Sequence, residues 1–387
     1  MAFICVVEIV SVKINSTTLV PPMQQLINYL TNNQNKPQSY TATIGFDGFV
    51  DTIVKLVKHK NANGKTASYF NKMADWGNYI LGKNGSNLSL ELEQQSIKTG
   101  GNMPNMSSAL AKLGVNINCI GALGYPAIDP LFTTMPAQCR LHSFAQPGLC
   151  QAIEFEDGKI MLGSMDALNK TDWSVLRERI SIEVLIKLFD AANLIGLLNW
   201  GELANSTSFW NGLLQDVLPY CTGNKIFFVD FCDCSSRSKQ EMLAALQLLN
   251  AFSEYGKVIL SLNHNETVFI DNSLFDAEPD DTNIKTLGER LFSRLQVHTL
   301  LLHNRSKAIA LRKNEFAEKN SFIIESPKLL TGAGDNFNAG FCFALLMNCS
   351  LEDCLLLAHL VAAYYIKNAE NAGWEDLLNE LKTHNFY

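Results

Sequence analysis

The chain has 387 residues, 47% of them hydrophobic and 18% charged, with a formal net charge of -7. That length suits two or three domains, or one large α/β domain with a small appendage, and the acidic balance offers no basic face for nucleic acid. The ten cysteines are scattered without the paired spacing of a zinc site; Cys232 and Cys234 flank one residue with no second pair near, so they read as reduced thiols of a cytoplasmic protein.

In chain order, the opening MAFICVVEIV is apolar but lacks a basic start and a small-residue cleavage site, which argues against a signal peptide. Residues 1–40 read as an N-terminal extension ending in the polar stretch TNNQNKPQS, and 41–387 as one domain. TATIGFD is strand-like, MPNMSSALAKLG is a helix closed by Gly114, and NINCIGALG is the next strand. CQAIEFEDGKIMLG reads as a hairpin with EDGK as its turn. Then ANLIGLLNW, KIFFVDF, KVILSL and HTLLLH are short apolar runs separated by helical pattern, as in a parallel sheet covered on both faces. Residues 334–348 form one helix, and Ser350 with Asp353 starts another. The apolar region 341–366 is interrupted by Glu352, Asp353 and His359, so two buried helices are expected rather than a membrane span. The hairpin and residues 48–60 fall outside the βα alternation and suit a small accessory sheet, with lid segments within about 48–98 and 148–165.

The chemistry gathers at LLTGAGDNFNAGF, residues 329–341. Gly332, Ala333 and Gly334 remove side chains where a helix begins, so that unpaired N–H groups and the helix dipole face an anion together. Asp335 stands in the same first turn, where a carboxylate can take a proton from a hydroxyl attacking a phosphoryl group. A Gly-rich turn before a helix-favouring Asp, with no ligand, is the plainer alternative. Other phosphate and catalytic motifs fail: HKNANGKT has His59 where a P-loop needs glycine, and neither GxSxG nor HExxH occurs.

TGAGDNFNAGF resembles the C-terminal signature of the ribokinase-like (PfkB) carbohydrate kinases, and GGNMPNMSSALAKLG, residues 100–114, their N-terminal signature. GFDGFVDTIV resembles the first strand, FVDFCDCSSR the mid-chain strand ending in Asp with a later Arg, and NHNE, residues 263–266, the N-x-x-E element. The resemblance runs over roughly residues 43–341. It implies a Rossmann-like, doubly wound, mostly parallel sheet with a small β-sheet lid, and an ATP- and Mg²⁺-dependent kinase acting on a hydroxymethyl group of a small sugar or sugar-like polyol. By the same resemblance Asp335 is the catalytic base, and the main chain of Gly332, Ala333 and Gly334 is the anion hole. Gly101 and Asn105 bind substrate hydroxyls with Asp51 and Asp47. Asn263 and Glu266 organise Mg²⁺ through water, and Thr331 joins the nucleotide contacts, where Arg305, which is not part of the family pattern, is a further candidate.

Each role has a plainer competitor. Asn263 with Glu266 is also a helix-capping pair, Gly100–Gly101 a turn, and Asp47 and Asp51 strand-end residues. Three departures from the family pattern stand out. Leu329 stands two positions before Thr331, where the family pattern has Asp or a small polar residue. LLHNRSKAIAL has Arg305 and no glycine in its turn, so Arg305 either pairs with a phosphate or sits in solvent. The segment between Asp51 and Gly100 is long enough for its own helix. A nucleoside kinase on the same fold and a silent sugar- or nucleotide-binding relative remain alternatives. A homodimer is compatible with the sequence; nucleic-acid and membrane partners are not expected.

Overall fold

The computed structural model describes residues 21–275 and 283–383, so the reading of MAFICVVEIV and the first half of the extension lie outside the described residues. Fourteen strands follow in chain order: β1 (Thr41–Phe46), β2 (Phe49–Lys60), β3 (Thr66–Tyr69), β4 (Leu92–Gly100), β5 (Asn116–Gly121), β6 (Cys139–Ser143), β7 (Gly148–Phe155), β8 (Gly158–Ser164), β9 (Leu194–Leu198), β10 (Lys225–Asp230), β11 (Gly256–Asn263), β12 (Thr299–His303), β13 (Lys307–Arg312) and β14 (Glu315–Asn320). The apolar runs without alternation become β9, β10, β11 and β12, each nearly all buried, because helices cover both faces of the sheet they form.

The large sheet has the order β14-β13-β12-β11-β10-β9-β1-β5-β6. It is parallel from β6 to β12, and β13 and β14 run antiparallel at one edge. The chain proceeds from β1 to β5 on one side and returns to β9 on the other. This reversal opens a crevice at the carboxyl ends of the strands, where ligands of such sheets bind. One core lies against the helices Asn102–Lys112, Ala333–Leu346 and Leu351–Asn368, the other against Trp200, Trp210, Phe227 and Phe252.

The second sheet is built on β2, which pairs antiparallel with β3 and β4 and parallel with β7; β8 completes it. The turn between β7 and β8 is Glu156–Asp157, within the expected EDGK. A helix, Met73–Leu81, does form between β3 and β4, and its Trp76 packs on the cluster of Val54, Leu56, Phe70 and Ile153.

The region 341–366 holds the end of one helix, Ala333–Leu346, and most of a second, Leu351–Asn368, the second started by the Ser350 side chain accepting from the Asp353 N–H. Among the described residues no helix is long and apolar enough to cross a membrane. The described part of the extension is joined to the domain rather than standing off it. In the helix Pro21–Asn32, Leu26, Ile27 and Leu30 are buried in the first core, and the Tyr29 hydroxyl donates to the Met347 carbonyl.

Candidate active site

Asp335 lies in the first turn of the helix Ala333–Leu346, with Gly332 as the residue before it at φ 92°. A Cβ on Gly332 would stand 2.9 Å from the Tyr365 hydroxyl, so conformation and crowding both require glycine. At Gly334 the reason differs: an added Cβ would meet nothing within 4 Å, leaving open space beside the helix start. The Ala333 N–H is turned back to the Leu330 carbonyl at 3.2 Å. Of the expected trio only Ala333 spends its N–H in this way; the Gly332, Gly334 and Asp335 N–H groups have no acceptor among the described residues, so Asp335 adds a donor beside Gly332 and Gly334. That is the geometry in which a helix N-terminus holds a phosphate.

Asp335 is only 8% exposed. Its Oδ2 accepts from the Asn105 Nδ2 at 2.9 Å. Burial, with Asp230 and Asp47 nearby, holds its proton well above the usual carboxylate range, and Asn105 and Lys159 oppose that shift. Asn105 therefore orients the acid with its amide N–H.

The two candidate substrate acids of the first strand region separate clearly. Asp47 is fully buried and saturated: its Oδ2 accepts from the Asn102 N–H at 2.7 Å and the Asn199 Nδ2 at 2.9 Å, its Oδ1 from the Met103 N–H at 2.8 Å. It ties β1 to the start of the helix Asn102–Lys112. Burial pushes it up to about 6. Gly101, at φ 96°, passes so close that a Cβ would lie 2.9 Å from Asp47 Oδ2. Asp51 has no hydrogen-bond partner among the described residues. It is paired across strands with Lys98, and a Cβ on Gly100 would fall 2.2 Å from its Oδ1. Burial raises its pKa, and Lys98 and Lys159 lower it.

The small sheet closes onto the glycine loop. Lys159 Nζ of β8 donates to the Thr331 hydroxyl at 2.5 Å, and the Tyr365 hydroxyl donates to the Thr331 carbonyl at 2.8 Å. Leu329, where the family pattern has a polar residue, is held through its N–H to the Ile366 carbonyl at 3.3 Å.

A second acidic group gathers along the crevice. Glu266 is 4% exposed and makes a capping box for the helix His264–Phe275: its N–H donates to Asn263 Oδ1 at 3.0 Å, its Oε2 accepts from the Asn263 N–H at 2.9 Å, and its Oε1 accepts from Asn263 Nδ2. Burial, Asp230 and Asp233 raise its pKa well above the ordinary value. Asp230, at the end of β10, is pushed up to about 6 by burial while accepting from the Cys232 N–H and from Asn338. These acids crowd one another with no ion pair to a basic side chain among the described residues, which suits a cation. Among the described residues no three His, Cys, Asp or Glu side chains converge to ligate a metal directly, so contact through water is what the donor set fits.

Arg305 is exposed and forms no ion pair among the described residues; its turn is held by Asn304 Oδ1, which accepts from the Ser306 and Lys307 N–H groups. Arg237, the later Arg after β10, spends its guanidinium on the Gly201, Trp200 and Leu203 carbonyls. His303 faces inward against Phe337, and burial lowers it to about 4. Sequence reasoning missed Asn199, Lys98, Lys159 and Tyr365. Only Asn199 carried a local signal, standing just after the buried run of β9.

Comparison with known proteins adds an independent line. The family model described as "Prokaryotic ketohexokinase" matches residues 33–383. A ketohexokinase of Haloferax volcanii is 25% identical over 339 residues, 86% of this chain and 88% of that protein. Among solved structures, the chain is similar in fold to a probable sugar kinase from Rhizobium etli (TM-score 0.60, 19% identity, 91% of this chain and 100% of that one). It is similar likewise to adenosine kinase from Sinorhizobium meliloti (TM-score 0.61, 18% identity, 90% and 99%).

Proposed function

The chain belongs to the ribokinase-like PfkB family, through the group described as prokaryotic ketohexokinase, and from that premise we propose that it transfers the γ-phosphoryl group of ATP to a hydroxymethyl group of a small sugar, a ketohexose before other sugars and polyols. The observation that carries the reading is Asp335: a buried carboxyl aimed by Asn105, set beside a helix start with free N–H groups and open space at Gly334.

In this reading the hydroxymethyl group sits between Asp51 and Asp335. Asp51 accepts from neighbouring sugar hydroxyls, since its oxygens have no protein donor to satisfy them. Asp335 Oδ1, free of the Asn105 bond, takes the hydroxyl proton as the sugar oxygen attacks the γ-phosphorus. The new O–P bond forms as the bond from that phosphorus to the bridging oxygen breaks, and ADP leaves with that electron pair. The Gly334 and Asp335 N–H groups hold charge on the transferring group. Mg²⁺ held through water by Glu266, Asp230 and Asp233 would supply further charge neutralisation along the phosphates. Asp47 and Gly101 shape the floor without touching substrate, and Arg305 is free to reach a nucleotide phosphate. The small sheet excludes water, which limits ATP hydrolysis.

The test is ADP release with fructose, other ketohexoses, ribose, polyols and adenosine, with the phosphorylated product identified by NMR. A ketohexose should give the largest kcat/KM, and Asp335→Asn should lose that turnover. Preferred turnover of adenosine would move the reading to a nucleoside kinase. Tight binding without turnover of any acceptor would make the chain a silent binding relative.

A further inference from the structure

The acids of the site have parts in the proposed transfer, whereas two lysines of the small sheet do not. Lys98 of β4 stands across from Asp51, and Lys159 of β8 reaches from the small sheet to the residue preceding Gly332. Lys159 is exposed as a residue, and its ammonium is held on a threonine hydroxyl of the glycine loop in a contact that water can still reach. Burial and then the nearby Lys98 ammonium lower the proton affinity of Lys159, and Lys159 in turn lowers that of Asp335. A neutral sugar gives no reason to gather two cations beside the helix start. A triphosphate brought among Asp51, Asp230 and Asp335 does, because charge builds on the equatorial oxygens of the transferring group.

We infer that Lys159 is a further catalytic residue, a cation delivered by the small sheet that donates to an equatorial oxygen of the phosphoryl group during transfer, while Lys98 neutralises Asp51. This rests on the kinase reading. An ammonium has three donors, so Lys159 can keep Thr331 and take a phosphoryl oxygen beside it. A charge-assisted bond made there strengthens as the transferring group separates from ADP, so it lowers the barrier more than it aids binding. The covalent balance of the transfer is unchanged: Lys159 gives up no proton, and the hydroxyl proton still goes to Asp335. Because the lysine rides on β8, the site is complete only when the small sheet lies on the glycine loop, where the structure has it.

The competing role is a latch, in which Lys159 only pins the sheet to Thr331. Lys159→Met keeps length and removes charge; Lys159→Arg keeps charge. For the Met variant we expect kcat to fall about 10²- to 10³-fold with sugar KM within about threefold. Affinity for a non-hydrolysable ATP analogue, measured with sugar present, should fall tenfold or more while ADP affinity holds within about twofold; the Arg variant should recover at least a tenth of native turnover. A latch would weaken sugar, ADP and analogue alike and spare kcat at saturation, and that pattern overturns the inference. Lys159→Gln repeats the measurement if the Met variant folds poorly. A wild-type protein that phosphorylates no acceptor overturns the kinase reading together with this one. An active wild type with a Met variant of native turnover overturns this one alone.

Discussion

A carboxyl that is 8% exposed and faces Asp230 and Asp47 keeps its proton to higher pH than an Asp in water. In the proposed role of base Asp335 works only when ionised, so turnover should fall as pH drops through its raised pKa, giving an acidic limb above the usual carboxylate range. Asp335→Asn should cost about 10²- to 10⁴-fold in kcat with little change in KM, and should abolish that limb. A pH–rate profile of both proteins checks it; an Asn variant with native turnover would end the assignment. Asp51 and Asp47 should part in the same kind of experiment. Asp51→Asn leaves the fold intact and raises sugar KM by about tenfold or more, since a charged acceptor to hydroxyls is lost. At Asp47 the amide NH₂ of an Asn would turn toward donors it cannot accept from, so Asp47→Asn should lose about 2 kcal/mol of stability. Urea melts beside sugar KM values for both variants separate the two roles, and a KM defect confined to Asp47→Asn would reverse the assignment.

At the scale of elements, the segment NHNE does two things at once in the proposed mechanism. As a capping box it starts the helix His264–Phe275, and as an acid beside Asp230 and Asp233 it completes the group suited to a cation. Glu266→Gln retains one acceptor for the Asn263 N–H, so the helix should survive with a loss below about 1 kcal/mol. Its half-saturating Mg²⁺ concentration for turnover should rise several-fold, because the amide lacks the charge. If stability drops while the Mg²⁺ dependence stays native, capping is its whole function. The helix Pro21–Asn32 poses a different question, because it lies outside the strand and helix alternation yet is packed into the first core. Leu30 is fully buried there. Leu30→Ala should cost about 2–5 kcal/mol in urea denaturation without altering kcat of the folded protein. A cost near zero would make the helix a dispensable appendage.

For the molecule as a whole, the crevice concentrates negative charge at the carboxyl ends of the parallel strands, and this charge opposes folding. Asp47 and Asp230 are each pushed up to about 6 in the folded state from an ordinary value of 3.8. Between those limits the folded protein binds more protons than the unfolded chain. Stability from these two groups is therefore fully present below about 4 and lost as pH rises through about 6. Asp230→Asn should flatten that decline, which denaturation at pH 4, 5, 6 and 7 would measure; an unaltered slope would assign the titration elsewhere. A cation binding only the folded form should return stability at neutral pH. Millimolar Mg²⁺ should then raise the wild-type Tm at pH 7.5, an excess of chelator should reverse it, and Asp230→Asn should shrink the increase.

Much of the architecture was legible in the chain because it depends on short-range rules. Buried apolar runs between helical patterns gave the parallel sheet. The EDGK turn placed β7 and β8, and three small residues before Asp335 marked a helix start. The long segment after Asp51 did hold a helix. Partnership was another matter. That Asp47 is consumed by two N–H groups and Asn199 while Asp51 stays free depends on how β1, β9 and the helix Asn102–Lys112 meet. Asn105 aims Asp335 from 230 residues away, and Lys159 reaches Thr331 across 172. Backbone propensity and side-chain periodicity act over a few residues, so the sequence by itself determined which elements form and where glycine is needed. Which side chains share a hydrogen bond was decided only when the carboxyl ends of the strands and the small sheet came together over one crevice.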